Sequence, residues 1–122
     1  FTCVDPYDKL GELVKVISKS KRNLFPVVDA SNSFIGVVNL NEVRHIIFNQ
    51  ELYETTFVHD LMNDAPEYVR KEDTMDMVMN KFETSMAWNL PVLDDQGHYL
   101  GFVSKSKIFS AYRGMLKEFY SE

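Results

Sequence analysis

Two apolar runs, each paired across a polar turn with a second apolar run, set the rhythm of this chain. Pro26-Val27-Val28-Asp29 is followed by Gly36-Val37-Val38-Asn39. The unit returns as Pro91-Val92-Leu93-Asp94 with Gly101-Phe102-Val103-Ser104. Pro91 stands 65 positions after Pro26, and Gly101 stands 65 after Gly36. Nearly unbroken apolar runs of this length predict buried strands. The intervening Ala30-Ser31-Asn32-Ser33 and Asp95-Gln96-Gly97-His98 have turn chemistry. Upstream of the first unit, Leu10, Leu13, Val14 and Ile17 fall on one helical face. Met75, Val78, Met79 and Phe82 repeat that face at the same offset of 65.

The remaining elements follow from local signals. Phe1-Thr2-Cys3-Val4 is aromatic and β-branched and predicts a strand. Asp5-Pro6 predicts the start of the first helix, with Asp as cap and Pro at a position that needs no N–H. A second helix is expected from Asn39 to about Phe48, with Val43, Ile46, Ile47 and Phe48 inward. Residues 49–65 have no repeat partner and read as a connection, with helical character over Phe57 to Met62. Pro66 ends it, and Glu67-Tyr68-Val69 predicts a short strand. A closing helix from about Ser106 carries Ile108, Tyr112, Met115 or Leu116, and Phe119 at helical spacing. Gly114 weakens it by up to ~1 kcal/mol relative to Ala.

The fold class is therefore α/β: two repeats, 1–48 and 66–122, each a short sheet with two helices, joined by 49–65. One copy is too small to cover both faces of its sheet. Two copies can bury a shared face about a pseudo-twofold axis. Such packing leaves two equivalent clefts near strand ends and helix N-termini, where free N–H groups suit anions. Gly36 and Gly101 are expected to serve a close backbone approach or a special dihedral.

Composition narrows the chemistry. With 122 residues the chain suits one compact unit. A net charge of −5 argues against a nucleic-acid partner, which needs a concentrated basic face. The basic run Lys15, Lys19, Lys21 and Arg22 reads as a solvated helix end. No apolar run approaches the ~20 residues of a membrane span. The single cysteine, Cys3, permits no internal disulfide and reads as a buried, inert thiol. His45, His59 and His98 show no metal-site spacing. No catalytic residue is assigned, and an enzymatic role is not expected. The chain opens at Phe1 inside a predicted strand and reads as a piece of a longer protein.

Pro-Val-hydrophobic-Asp, turn, Gly-hydrophobic-hydrophobic-polar, helix, present twice, resembles a tandem pair of CBS domains, a Bateman module. Phe25-Pro26-Val27-Val28-Asp29, Gly36-Val37-Val38-Asn39-Leu40 and Ser104-Lys105-Ser106-Lys107-Ile108-Phe109 with Tyr112-Arg113 resemble the cytoplasmic C-terminal region of CLC-type chloride channels and transporters. The resemblance implies a regulatory module, usually a homodimer, on the cytoplasmic face of the membrane and attached to a transmembrane domain. It also implies that an adenine nucleotide (ATP, ADP or AMP) is the ligand in some members.

The implied ligand residues are Thr2, Arg22, Asn23, Asn39, Glu42, Trp88, Asn89, Ser104 and Lys107. Nucleotide-binding members place Thr or Ser near phosphate and, three residues on, an Asp on the ribose hydroxyls. Here the Asp positions hold Glu42 and Lys107. Glu42 keeps the charge at greater length; Lys107 cannot accept a hydrogen bond. Six of these residues also have a structural reading. Asn39 with Glu42 approximates a capping box, and Ser104 is an N-cap. Lys107, a cation in a first helical turn, pairs with a carboxylate or meets a phosphate. Trp88 fills core or a module interface, or stacks on a base. Arg22 is solvated or holds a phosphate bidentately. Three functions compete: a small-molecule sensor on a channel or transporter, an assembly module without ligand, and regulation of a soluble enzyme.

Overall fold

A computed structural model describes the backbone of residues 1–120 and the side chains of residues 1–115. The elements are α1 (Leu10–Lys19), β1 (Leu24–Val28), β2 (Phe34–Asn39), α2 (Leu40–Val43), β3 (Val69–Arg70), α3 (Met75–Ser85), β4 (Asn89–Leu93), β5 (Tyr99–Ser104) and α4 (Lys105–Tyr120). Short 3₁₀ turns at Gln50–Leu52 and Val58–Asp60 lie between α2 and β3. The mixed helix and strand fold in two repeats is the one that the sequence predicts.

Strand pairing repeats residue for residue. β1 and β2 are antiparallel, with Val27 opposite Gly36 and Val28 opposite Phe34. β4 and β5 are antiparallel, with Val92 opposite Gly101 and Leu93 opposite Tyr99. Each hairpin thus skips one residue, Ile35 or Leu100, at positions 65 apart. Val4 bridges Val27 in parallel, as Val69 in β3 pairs with Val92. The turns match as well. The Asp29 carboxylate accepts from the N–H groups of Ser31 and Ser33, and the Asp94 carboxylate accepts from those of Gln96 and His98. These last bonds, led by the one from His98, hold Asp94 below the usual carboxylate range.

The copies meet at the hairpin tips across a pseudo-twofold axis. Ser33 bridges His98, its own counterpart. The Phe34 N–H donates to the Gly97 carbonyl at 3.0 Å, and the Tyr99 N–H donates to the Asn32 carbonyl at 2.9 Å. These bonds exchange under the 65-residue offset, as a twofold requires. Asn32 (φ 64°) and Gly97 (φ 84°) occupy the same left-handed position, which both residue types tolerate. The Phe34 and Tyr99 rings stack with centroids 6.3 Å apart.

Several elements differ from their predicted form. The opening strand shrinks to the Val4 bridge. Asp5 opens a turn instead of a helix, its carboxylate accepting from the Tyr7 N–H at 2.8 Å. The helix begins at Leu10, where the Glu12 carboxylate accepts from the Lys9 N–H at 3.4 Å. α2 stops at Val43, and Ile46 and Asn49 continue with tight bonds to residues three back. That geometry turns Phe48 out to solvent, 82% exposed. The strand at 67–69 is confined to Val69–Arg70. Cys3 is exposed, because only Val4 of that segment joins the sheet; partial desolvation still pushes its thiol pKa up. In α4, which starts one residue earlier than predicted, Ile108 packs on the second core and Met115 is exposed. The side chains of Leu116 and Phe119 lie outside the described residues.

The first core buries Val4, Leu10, Leu13, Phe25, Val27, Val38, Val43, Ile47 and Val58. Val58 belongs to the segment read as a connection. The second core buries Val69, Val78, Phe82 and Leu90.

Beside the second core, the Lys81 ammonium donates to the Asp73 carboxylate at 2.8 Å and to the Tyr68 carbonyl at 2.6 Å. The Asp73 side chain is 6% exposed. Burial alone would raise its pKa; the Arg70 N–H and Lys81 outweigh that and lower it below 3.8. A folded-state pKa below the unfolded value contributes stability above that unfolded value. The contribution is lost as pH falls through the folded pKa. Acid titration of the melting midpoint is therefore expected to fall below about pH 4, and less steeply in Asp73→Asn.

Candidate functional site

Each hairpin delivers its second strand directly into a helix, and the residue before the first strand is tied to that junction. The Leu40 N–H donates to the Asn23 carbonyl at 2.8 Å, and the Lys105 N–H donates to the Trp88 carbonyl at 2.9 Å. Asn23 and Trp88 are thereby set beside the starts of α2 and α4. The Asn39 side chain accepts from the Asn41 N–H at 2.9 Å. The Ser104 hydroxyl accepts from the Lys107 N–H at 3.2 Å. Both N-caps form as their residue types require.

Two clefts open at these junctions. The first encloses about 420 Å³ and gathers Asn23, Asn39, Glu42, Trp88 and Asn89. The second encloses about 410 Å³ and gathers Arg22, Asn89, Ser104 and Lys107. Asn89 and Phe102 line both. Thr2 is exposed and lines neither. The clefts differ in charge. Glu42 and Asp64 line the first, without a cation. Arg22 and Lys107 line the second, without a carboxylate.

Three side chains depart from their structural readings, and Arg22, exposed as that reading expects, gains an aromatic contact. Glu42 does not close a capping box on Asn39; its carboxylate accepts from the Asn63 side-chain amide. Asn63 is itself held to β2, exchanging both backbone hydrogen bonds with Val37 at 2.8 Å. Trp88 fills no core: it is 72% exposed, with the Lys105 ammonium 5.2 Å from its ring centroid. Lys107 has no carboxylate within ion-pair distance among the described residues. Arg22 lies over the Phe1 ring, its guanidinium carbon 4.4 Å from the centroid, a cation–π arrangement.

Asn63, Asp64, Ala65 and Pro66 wall the first cleft, and no reading of the sequence placed them there. Their segment has no counterpart in the second copy. The available signal was Gly36, whose expected close approach needed a partner strand. Among the described residues no three His, Cys, Asp or Glu side chains converge as metal ligands. None of the described helices is long and apolar enough to cross a membrane.

Residues 1–49 and 58–114 match the family model of the CBS domain. The chain is 29% identical over 107 residues to inosine-5'-monophosphate dehydrogenase of Bifidobacterium longum (strain NCC 2705), covering 83% of this chain and 18% of that protein. The chain thus spans under a fifth of this relative. The crystal structure of CBSX2, a CBS-pair protein of Arabidopsis thaliana, in complex with AMP is similar at a TM-score of 0.74 and 23% identity, over 93% of this chain and 87% of that one. That of CbpB in complex with c-di-AMP has a TM-score of 0.78 at 16% identity, over 97% and 80%. At these identities the structural likeness speaks for the fold. The repeated registers, the hairpin-tip seam and the family match over both copies lead to one conclusion: this chain belongs to the CBS domain family and carries two CBS domains in tandem.

Proposed function

We propose that this chain is a regulatory module whose first cleft takes the adenosine part of an adenine nucleotide. The carrying observation is that this cleft is lined from both copies. A ligand there touches Asn23 and Trp88 together and biases how the copies sit, by its differential affinity for two arrangements. Its volume of about 420 Å³ suits a small molecule. The exposed indole of Trp88 offers a stacking face. Asparagine amides both donate and accept, as the edge of a purine requires. The AMP and c-di-AMP complexes of CBSX2 and CbpB support the same ligand class. The module acts as a homodimer on the cytoplasmic face of a membrane, regulating a CLC-type chloride channel or transporter domain of the same polypeptide. That attachment rests on the phrases at Phe25–Asp29, Gly36–Leu40 and Ser104–Phe109.

Trp88 is the single tryptophan, so its fluorescence reports the first cleft directly. Adenosine, AMP, ADP and ATP are titrated in turn, with emission and melting midpoint followed together. At a hundredfold excess over Kd the stability gain is about 2.7 kcal/mol, which moves the midpoint by roughly 10 °C. A set of four flat titrations would overturn nucleotide sensing. They would leave the assembly module, a reading favoured by the engagement of Glu42 with Asn63 and by Lys107 where the resemblance calls for Asp.

A further inference from the structure

We propose that the exposed aromatic patch of Tyr7, His59 and Phe57, with the carboxylates beside it, docks a basic segment of a partner polypeptide through an arginine side chain. Two segments of the first copy build this patch. The Val58 N–H donates to the Asp8 carbonyl at 2.8 Å, and the His59 N–H donates to the Pro6 carbonyl at 2.9 Å. The Phe57 and His59 rings stack with centroids 5.5 Å apart and 3° between their planes. The Tyr7 ring meets His59 edge-on at 5.9 Å. Tyr7 is 75% exposed, and His59 is exposed. None of the three rings lines either cleft. The second copy has no such patch: Glu72 stands 65 positions after Tyr7, and the segment that carries Phe57 and His59 has no counterpart.

Charge selects the partner. Asp5 and Asp8 flank Tyr7 in the chain, and Asp60 follows His59. Among the described residues the ion-pair partner of Asp60 is His59, at 3.2 Å. Lys9, which bridges Phe57, is engaged by Glu54 at 3.1 Å. The repeat shows what Asp8 lacks. Its carboxylate accepts from the Asp5 N–H at 3.1 Å, as that of its counterpart Asp73 accepts from the Arg70 N–H at 2.9 Å. In the second copy the Lys81 ammonium completes this turn, 2.8 Å from Asp73. The position that matches Lys81 in the first copy holds Val16. Among the described residues Asp8 joins no ion pair. Burial, with the charges of Glu12 and Asp5, pushes its carboxyl above the usual carboxylate range. The first copy thus keeps the turn without its cation, next to an exposed tyrosine.

A guanidinium meets both features at once. Its plane stacks on an aromatic face, and its edge bonds a carboxylate bidentately. An ammonium reaches the carboxylate as a point charge and stacks less well. The same carboxylates repel the phosphates of nucleic acid and of anionic lipid. The patch therefore suits a polypeptide with arginine, and its use does not depend on a ligand in either cleft.

The probes are tetra-arginine and tetra-lysine peptides, acetylated and amidated, each titrated into the isotope-labelled 122-residue chain and followed by amide chemical shifts. The arginine peptide is expected to shift residues 5–9 and 57–60 and to weaken as salt rises. The lysine peptide is expected to bind about threefold more weakly. Tyr7→Ala keeps every charge and is expected to lose about threefold in affinity for the arginine peptide. Asp8→Asn keeps an acceptor for the Asp5 N–H and is expected to lose about threefold as well. Asp76→Asn removes an exposed carboxylate of α3 in the second copy and should change affinity by less than about twofold. Equal binding of the two peptides, or an unchanged Tyr7→Ala, overturns the proposal. So does an Asp76→Asn loss as large as that of Asp8→Asn, which would mean general attraction to the net charge of −5. Trp88 lies in the first cleft, and its emission should stay unmoved by the arginine peptide; a response there would place the peptide in that cleft and overturn the assignment.

Discussion

Replacing Gly36 with valine is expected to destabilise the fold by about 3–5 kcal/mol and to lower the melting midpoint by more than about 10 °C. A Cβ at Gly36 would stand 2.7 Å from the backbone oxygen of Asn63. That oxygen is no loose side-chain end. It accepts from the Val37 N–H at 2.8 Å, and the Asn63 N–H returns a bond to the Val37 carbonyl. Relief of the clash breaks this pair and withdraws Asn63 from Glu42, opening the wall of the first cleft. The equivalent glycine behaves differently. Around Gly101 an added Cβ meets nothing within 4 Å, but φ is +151°. Its replacement by alanine is therefore a strain problem of about 1–2 kcal/mol. Thermal and denaturant melts of Gly36→Ala, Gly36→Val and Gly101→Ala check the asymmetry. Equal losses at the two sites, or a Gly36→Val variant that melts like the parent, would sink the assignment.

This pair of glycines shows what the sequence made legible. The 65-residue offset was visible as letters, and it predicted two hairpins, their helices and their mutual packing. It held because each anchor's pattern is local: apolar run, turn residues, cap. What differed between the copies was not local. Nothing in Asn63 itself announces a backbone bridge to Val37, so the wall of the first cleft stayed unread. Val58, fully buried in the first core, sits in a segment whose helical character was legible and forms as a 3₁₀ turn, but whose place in the core was not. The site residues on the strand-to-helix junctions were legible because caps have residue signatures: Asn39 and Ser104 took them. Thr2 was not, since a predicted strand there would have put it against the sheet, and the chain joins the sheet at Val4 alone. For Trp88 the core-filling alternative failed for a related reason. Size and apolarity argue for burial, but its backbone is tied to the start of α4, which holds the ring at the cleft rim.

Phe82→Ala is expected to cost about 3–5 kcal/mol, and its partner position shows why a swap should not. Phe82 is fully buried in a second core with Val69, Val78 and Leu90. In the first copy its counterpart is Ile17, and the counterpart of Leu90 is Phe25. At this matched pair of positions each core thus holds one phenylalanine and one branched aliphatic chain on helix and strand, with the two exchanged between copies. The pair's summed volume is the same; only the layer that supplies the ring differs. Phe82→Ala removes that ring from the smaller core, and the second copy is expected to lose its packing and release the hairpin-tip seam. Leu90→Phe alone overfills the site and costs about 1–3 kcal/mol. Phe82→Ile with Leu90→Phe gives the second copy the arrangement of the first. Volume is conserved, so the double variant is expected to stay within about 1.5 kcal/mol of the parent. The measurement is a double-mutant cycle by denaturant unfolding. A favourable coupling between the two positions supports one shared packing site. A double variant that loses the sum of its two single changes would mean that the copies are packed by different rules despite their common register.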